Sequence, residues 1–454
     1  MHAAAVAATQ DVELTRGHVQ SGLQWLSPYG QHVITLTLDN LQQPLLELPC
    51  PNLLELRLLE MCSAQLGPAA DGSPGVILGC TKLTCLEVAC NIIDAPAGTT
   101  VDSLSRLVHL QKLVVEPKVG EALYYIDGLS AATLQRLTRL TLLDVSCLSS
   151  ENLAQLGVLT NLQELQLTSA DPVIGPSTVP GLVFPACLTN LMVLGAIEPE
   201  ILTLVPAGLK ALCINGGLVG AVEAPKSILF HIAQLPALLQ LDISLEDWPA
   251  AGPAYAALTA SSSLECLELS YASLPAGVWP HVFPAARKLL HLTRIKFHGE
   301  YGIQDVPSAM EAADIVHLVR CCPNLCEIDE LVLQHGSHVS ELHKLTALTH
   351  LGLQYVDSDE HSHTDSLRGL ARVAQLHSLT LNMSSPHATV ASLLPLTSLT
   401  TLTSFLPSWQ HGTQLVLELS YTSTQVTWVI WVTLLNCLDI HDCRARVAMG
   451  ALVA

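Results

Sequence analysis

Aromatic residues are scarce in this chain: Phe, Trp and Tyr together make up 4% of 454 residues. Charge is also thin, at 13% Asp, Glu, Lys and Arg, and basic residues number only 20 against 40 acidic ones. A net charge of −20 excludes wholesale binding to nucleic acid or anionic membrane, both of which need a basic surface. Mean hydropathy is high at +0.42, yet no run of 18 consecutive apolar residues exists that could form a spanning helix. The longest suspect stretch, Val426 to Leu438, is interrupted by Thr427, Thr433 and Asn436. Met1 to Gln10 has neither a basic n-region nor an apolar h-region, so no secretory signal is expected. The 14 cysteines are accordingly read as reduced thiols in a cytosolic or nuclear compartment. Catalytic and phosphate-binding motifs are missing too: no Gly-x-x-x-x-Gly-Lys loop, no Gly-x-Ser-x-Gly elbow and no His-Glu-x-x-His. The expectation is a chain without enzymatic activity and without a cofactor.

Leucine is what the chain has in excess, 86 residues or about 19%, roughly twice the usual share of the commonest residue type. A chain so aliphatic and so poor in charge is not disordered. The leucines recur as Leu-x-x-Leu-x-Leu with aliphatic substitutes, starting at positions 33, 53, 83, 110, 140, 162, 188, 209, 238, 264, 292, 328, 348, 376 and 399. Those fifteen starts span 366 residues in 14 intervals, a mean period of about 26, inside the ~20–29 window that marks one known repeat class. The last two apolar residues of each motif alternate with period 2 and therefore share one side of a short strand, with the residues between them on the other. A second apolar set at helical spacing follows many strands, as in Leu134, Leu137 and Leu140, or Leu153, Leu156 and Leu159. One such unit cannot bury its own leucines; a stack of neighbours closes a continuous core.

This pattern resembles the leucine-rich repeat family over roughly residues 20–405. The resemblance implies an α/β solenoid, a horseshoe with a parallel β-sheet on the concave face and short helices or loops on the convex face. Cys50, Pro51, Asn52 and Leu53, the run from Cys80 to Asp94, and Cys322, Pro323, Asn324 and Leu325 are similar to the cysteine-containing repeat subtype. Residues 1–32 read as an N-terminal cap, with Leu14, Val19, Leu23 and Leu26 at helix-compatible spacing. The repeat array runs from 33 to 405. Residues 406–454 hold three of the six tryptophans and form an atypical C-terminal segment, either a cap or a poorly folded stretch.

Small chemical clusters offer little. Cys80, Cys85 and Cys90, and Cys321, Cys322 and Cys326, fall in repeat register and lack the two close ligand pairs of a structural zinc site, so no metal is expected. The loop from Asp357 to Asp365, with His361 and His363, reads as a solvated acidic connection. Asn382 opens a glycosylation sequon that no glycosylating enzyme should meet without a signal peptide.

The resemblance places partner binding on the concave strand face. Acidic candidates there are Glu55, Glu87, Asp144, Glu164, Asp242, Glu268 and Glu330; basic ones are Arg57, Lys112, Arg294 and Lys296. That order suggests an acidic middle from Asp144 to Glu268 and a basic spot at the eleventh repeat, with Leu142, Met192 and Cys213 as apolar contacts. The function expected is a non-catalytic scaffold for a protein partner, a basic one being compatible with the charge. Two alternatives follow from resemblance: a substrate receptor of a ubiquitin ligase, similar to F-box repeat proteins but with no F-box in residues 1–32, or an activator of a small GTPase, similar in architecture to the Ran activator but without its acidic tail. The irregular, alanine-rich repeats are also similar to those of green algae, some associated with ciliary axonemes, which implies a cytoplasmic, cytoskeletal or axonemal place.

Overall fold

A computed structural model describes residues 10–15, 19–39, 48–61, 79–90, 104–116, 131–146, 148, 150–216, 224–245, 248, 252–270, 274–298, 309–333, 336–355, 370, 372–373, 375–382, 398–406, 413–422, 425–434 and 447–452. The chain divides into two compact units, Met1–Ala224 and Pro225–Ala454.

In the first unit the strands are β1 (Asp11–Leu14), β2 (Thr35–Asp39), β3 (Glu55–Met61), β4 (Cys85–Cys90), β5 (Lys112–Glu116), β6 (Leu142–Ser146), β7 (Glu164–Ile174), β8 (Asn190–Ile197) and β9 (Ala211–Gly216). Each pairs with the next in parallel and in order. Parallel neighbours need a crossover, and the return segments supply it as helix Ala131–Arg136, the short helix Ser150–Leu153 and the 3-10 turns Leu156–Val158 and Pro199–Leu204. In the second unit β10 (Gln240–Leu245), β11 (Cys266–Ser270), β12 (Arg294–His298), β13 (Glu327–Leu333), β14 (His350–Tyr355), β15 (Ser378–Asn382) and β16 (Thr401–Leu406) repeat the arrangement. Each unit is a parallel-sheet solenoid built on the recurring leucine motif.

The leucine motif explains the register. Leu36, Leu56, Leu86, Leu113, Leu143, Leu165, Leu191 and Leu212 pair strand to strand as one row, and every one is buried. Leu38, Leu58, Val88, Val115, Val145, Leu167, Val193 and Ile214 make the next row, equally buried. The leading leucine of each motif, from Val33 and Leu53 to Leu376 and Leu399, is buried just ahead of its strand. Each is worth roughly 1.5–3 kcal/mol on burial, so the stack holds together cooperatively.

Backbone bonding between repeats centres on one carbonyl per repeat. Leu54 O accepts Thr84 N at 2.8 Å and Cys85 N at 3.0 Å; Gln111 O accepts Thr141 N and Leu142 N in the same way, and the scheme recurs up to His377 O with Thr400 N and Thr401 N. Threonine occupies this position in repeats 3, 5, 7, 11, 13 and 15, and adds a third donor. Thr84, Thr141, Thr189, Thr293, Thr349 and Thr400 each pass their hydroxyl to the preceding repeat's carbonyl at 3.0–3.3 Å. The asparagines of the Asn-Leu phrases have a related job. Asn52, Asn161 and Asn324 donate at 2.8 Å to Gln31 O, Thr138 O and Leu290 O, tying the turn of one repeat to the turn before it.

Two sequence expectations change. Leu14 belongs to strand β1, which extends the sheet ahead of the first repeat, and the helix begins at Val19. Helix Val19–Tyr29 rests on that leucine at Gly22, where a Cβ would lie 2.4 Å from a Leu14 methyl. The twelfth motif starts at Leu325, not Ile328. Ile328 pairs with Leu351, but the register then slips so that Leu331 pairs with Leu353. The extra residue is Glu330, held at φ +52°, a bulge that makes Leu331 and Leu333 imitate a fresh motif. Gly352 lies beside it, since a Cβ there would come within 2.7 Å of Glu330 N.

Beyond β16 the strands turn antiparallel: β17 (Thr413–Thr422), β18 (Gln425–Leu434) and β19 (Val447–Leu452) follow one another. The row of Leu379 and Leu402 continues in register through Leu417 and Ile430. No helix among the described residues is long and apolar enough to cross a membrane.

Candidate binding face of the sheet

Opposite the leucines, two outward positions per strand form two rows across each unit. In the first unit one row reads Thr35, Glu55, Cys85, Lys112, Leu142, Glu164, Asn190 and Ala211; the other reads Thr37, Arg57, Glu87, Val114, Asp144, Gln166, Met192 and Cys213. All are half-buried or exposed. The expected candidates Glu55, Arg57, Glu87, Asp144 and Glu164 all sit on this face.

They are not equivalent. Arg57 Nε reaches Glu87 at 3.2 Å, Lys112 Nζ reaches the other oxygen of Glu87 at 2.5 Å, and Arg57 lies 4.0 Å from Glu55. Glu87 thus collects both cations of the unit's face. Its hydrogen bond holds the Lys112 ammonium above its ordinary pKa, outweighing the opposing effect of burial. The neighbouring Cys85 thiol is pushed up by burial first and by the Glu87 carboxylate second. Asp144 has Val114 and Gln166 as rung neighbours, and Glu164 has Leu142 and Asn190. The Glu164 side chain is exposed and lies outside the Glu87 ladder.

Two shallow hollows open over this stretch and share Lys112 and Leu142. One, of about 410 Å³, is polar and edged by Glu55, Thr84, Gln111, Thr141, Gln163 and Glu164. The other, of about 240 Å³, includes Leu59, Val114 and Asp144.

In the second unit Asp242, Glu268, Lys296 and Asp329 share one row, while Gln240, Cys266, Arg294, Glu327 and His350 share the other. Lys296 pairs with Glu268 at 3.5 Å and has Asp329 as its other rung neighbour. Arg294 stands between Cys266 and Glu327. The expected basic spot is therefore one strand wide: Lys296 has acids on both sides, and Arg294 has Glu327 on one. Glu330 is corrected: it occupies the bulge, and Glu327 and Asp329 hold the two outward positions of its strand. Sequence spacing alone hid them, because the motif had been framed three residues late.

The thiols are structural in their surroundings. Burial pushes Cys50 up to about 11 and Cys80 up to about 12, the latter with Cys50 close enough to add to it. These two stand at equivalent positions of adjacent repeats, each accepting the turn bond that opens its motif, Leu53 N to Cys50 O and Leu83 N to Cys80 O. Cys322 is raised further by burial. Among the described residues no three His, Cys, Asp or Glu side chains converge as metal ligands. Cys90's side chain, the loop with His361 and His363, and the end of the Asn382 sequon lie outside the described residues.

No protein-family model matches the chain, and no curated protein matches it in sequence. Among solved structures it is similar to a leucine-rich-repeat protein of Leptospira interrogans, at 17% identity and a TM-score of 0.39, over 86% of this chain and 99% of that one. It is also similar to the functional domain of InlJ from Listeria monocytogenes, described as including a cysteine ladder, at 14% identity and a TM-score of 0.40, over 94% of this chain and 88% of that one. The fold assignment stands on the parallel register and the leucine rows themselves.

Proposed function

We propose that this protein is a non-catalytic scaffold that binds a protein partner on the outward face of its parallel sheet. The supporting observation is the pair of outward rows: regularly spaced, solvated side chains on strands fixed from behind by buried leucines. Strands lie ~4.8 Å apart, so a handful of repeats offers the ~800 Å² that a standard interface takes from each partner. Function lives in the site and not in the fold, so these rows carry the reading. A reducing, cytoplasmic compartment suits the nine free cysteines among the described residues.

The test is affinity capture from a native extract, comparing the full chain with the variant Asp144→Lys, Asp242→Lys and Glu268→Lys by quantitative mass spectrometry. A partner lost from the charge-reversed bait alone is the expected result. Its identity also decides among a ligase adaptor, a small GTPase and a cytoskeletal component. Equal recovery by both baits would remove the outward face from the mechanism.

A further inference from the structure

The turns that precede the strands carry charge of one sign. Four residues stand ahead of each leading leucine, and in all fifteen repeats not one of the four is Asp or Glu, although the chain holds 40 acidic residues against 20 basic ones. In the first unit the Lys and Arg residues of these turns fall in three consecutive repeats: Lys82 in the third, Arg106 in the fourth, Arg136 and Arg139 in the fifth. All four are exposed. Neighbouring turns run side by side: Lys82 Nζ donates to Asn52 Oδ1 at 2.7 Å, and Arg139 Nη1 donates to His109 Nδ1 at 3.2 Å. Arg106 and Arg136 hold equivalent places, four residues ahead of Leu110 and Leu140, and the strands that follow them, β5 and β6, are paired at about 4.8 Å. No carboxylate among the described residues forms an ion pair with any of the four cations. Helix Ala131–Arg136 favours a cation at its carbonyl end, but Lys82 and Arg139 lie in turns outside any helix. Val108, between Arg106 and His109 in the chain, is 41% exposed and places an apolar spot amid the cations. In the turns of the second unit the lysines are already engaged: Lys344 pairs with Glu341 at 2.5 Å, and Lys288 donates to Arg320 O.

We propose that the turn edge of repeats 3–5 docks an extended acidic segment of a partner protein, its carboxylates meeting Lys82, Arg106, Arg136 and Arg139 and one of its aliphatic side chains covering Val108. Charge complementarity selects the sign. On a chain of net charge −20, an acid-free edge with four exposed cations is where an anionic segment can approach. A guanidinium can give a carboxylate two parallel hydrogen bonds, and Arg106 and Arg136 present two such forks on adjacent repeats. Val108 selects a peptide over a single strand of nucleic acid: an aliphatic side chain covers it, whereas these three turns offer no aromatic ring on which a base could stack. The turn edge is a second surface beside the outward rows, so it stands or falls separately from the scaffold reading of that face.

The test uses the full chain and a fluorescein-labelled dodecapeptide of alternating glutamate and valine, with a labelled oligothymidylate of the same length as the nucleic-acid probe, read by fluorescence anisotropy. The glutamate peptide should bind, and the oligothymidylate should bind more weakly. Arg106→Gln with Arg136→Gln should weaken the peptide about fivefold to tenfold, as expected for two exposed charge pairs, and should flatten its salt dependence. Val108→Ser should weaken it with no change in salt dependence, since it removes apolar surface and not charge. Lys288→Gln with Lys344→Gln, in the turns of the second unit, should leave binding unchanged. All substituted side chains are exposed, and matching thermal melts will show that the fold is retained. Absence of glutamate-peptide binding up to about 1 mM, indifference to the Arg106 and Arg136 changes or to Val108→Ser, or an equal loss in the Lys288 and Lys344 variant each overturns the proposal. Tighter binding of the oligothymidylate also overturns it and assigns the edge to nucleic acid. If the peptide fails while the charge-reversed bait still loses its partner, the scaffold reading survives and this second surface falls.

Discussion

Replacing Glu87 by glutamine tests whether the outward face of β3–β5 is held by charge. Glu87 is the shared acceptor of Arg57 at 3.2 Å and Lys112 at 2.5 Å. The cations are 45% and 39% exposed, Glu87 only 18%. Exposed ion pairs give about 0.2–1 kcal/mol each, so two pairs on a mostly covered carboxylate place the loss near 1 kcal/mol at low salt. Screening should reduce it by half or more at about 1 M salt. Crossing Glu87→Gln with Lys112→Met isolates the shorter pair, with an expected coupling of about 0.5 kcal/mol. Urea denaturation followed by circular dichroism is the assay, because urea leaves ionic strength alone and equal m values confirm that the same unfolding is compared. The pH dependence has a fixed sign. Lys112 is raised above its ordinary value of 10.5 in the folded chain, so its contribution is complete below 10.5 and fades as pH climbs through the folded value. The gap between the parent and Glu87→Gln should be flat from neutral pH to about 9 and narrow above 10.5. A coupling of zero, or one unchanged by salt, would refute this account.

Other outcomes can be set beside it. Gly30→Ala places a Cβ 2.2 Å from Pro49 O and 3.0 Å from Cys50 Sγ, a backbone clash expected to cost about 1–3 kcal/mol; Gly79→Ala meets nothing nearer than 3.5 Å and should change stability by under about 1 kcal/mol. Similar melting temperatures for the two would contradict the packing described. Leu143→Ala removes a fully buried row member and should cost about 2.7–5 kcal/mol, whereas its outward neighbour Leu142→Ala should cost well under half of that; a reversed order in denaturant midpoints would mean the strand faces are misassigned. Timed alkylation at pH 8 with peptide mapping should label Cys326 before Cys50 and Cys80, whose thiols are buried and raised to about 11 and about 12. Equal labelling rates would show that the turns open far more readily than the core rows imply.

Much of the fold was legible because one physical rule repeats. A leucine every second residue puts two side chains on one strand face, and a recurrence near 26 residues demands stacking; within each unit the leucine rows of β2 to β12 follow unbroken, the register slipping only beyond them, at Met61 and Ile174. Glu330 escaped because Leu331 and Leu333 satisfy the same pattern after a bulge, and only the pairing of Ile328 with Leu351 and Leu331 with Leu353 reveals the slip. The outward face was legible as a set of positions but not as an electrostatic surface. A tally of acids against bases treats Glu87 and Glu164 alike, yet one is enclosed by two cations and the other is exposed beside a leucine. That distinction depends on which residue of the next repeat lies alongside, a relation some 25 residues distant in the chain for Glu87 and Lys112. Leu14 was misplaced for a related reason: its spacing suits a helix, but pairing with Leu38 draws it into the sheet.

The threonines ahead of the strands carry a consequence for how such a chain can change length. Each adds its hydroxyl to a carbonyl of the repeat before it, and they fall in every second repeat from the third to the seventh and from the eleventh to the fifteenth. Yet the accepting carbonyl is supplied by threonine and non-threonine repeats alike, as Thr84 O and Gln111 O both show. A threonine repeat therefore finds its acceptor whichever kind of repeat precedes it. Excising or duplicating one repeat leaves the seam chemically ordinary, so growth or shrinkage of the array can come in single steps.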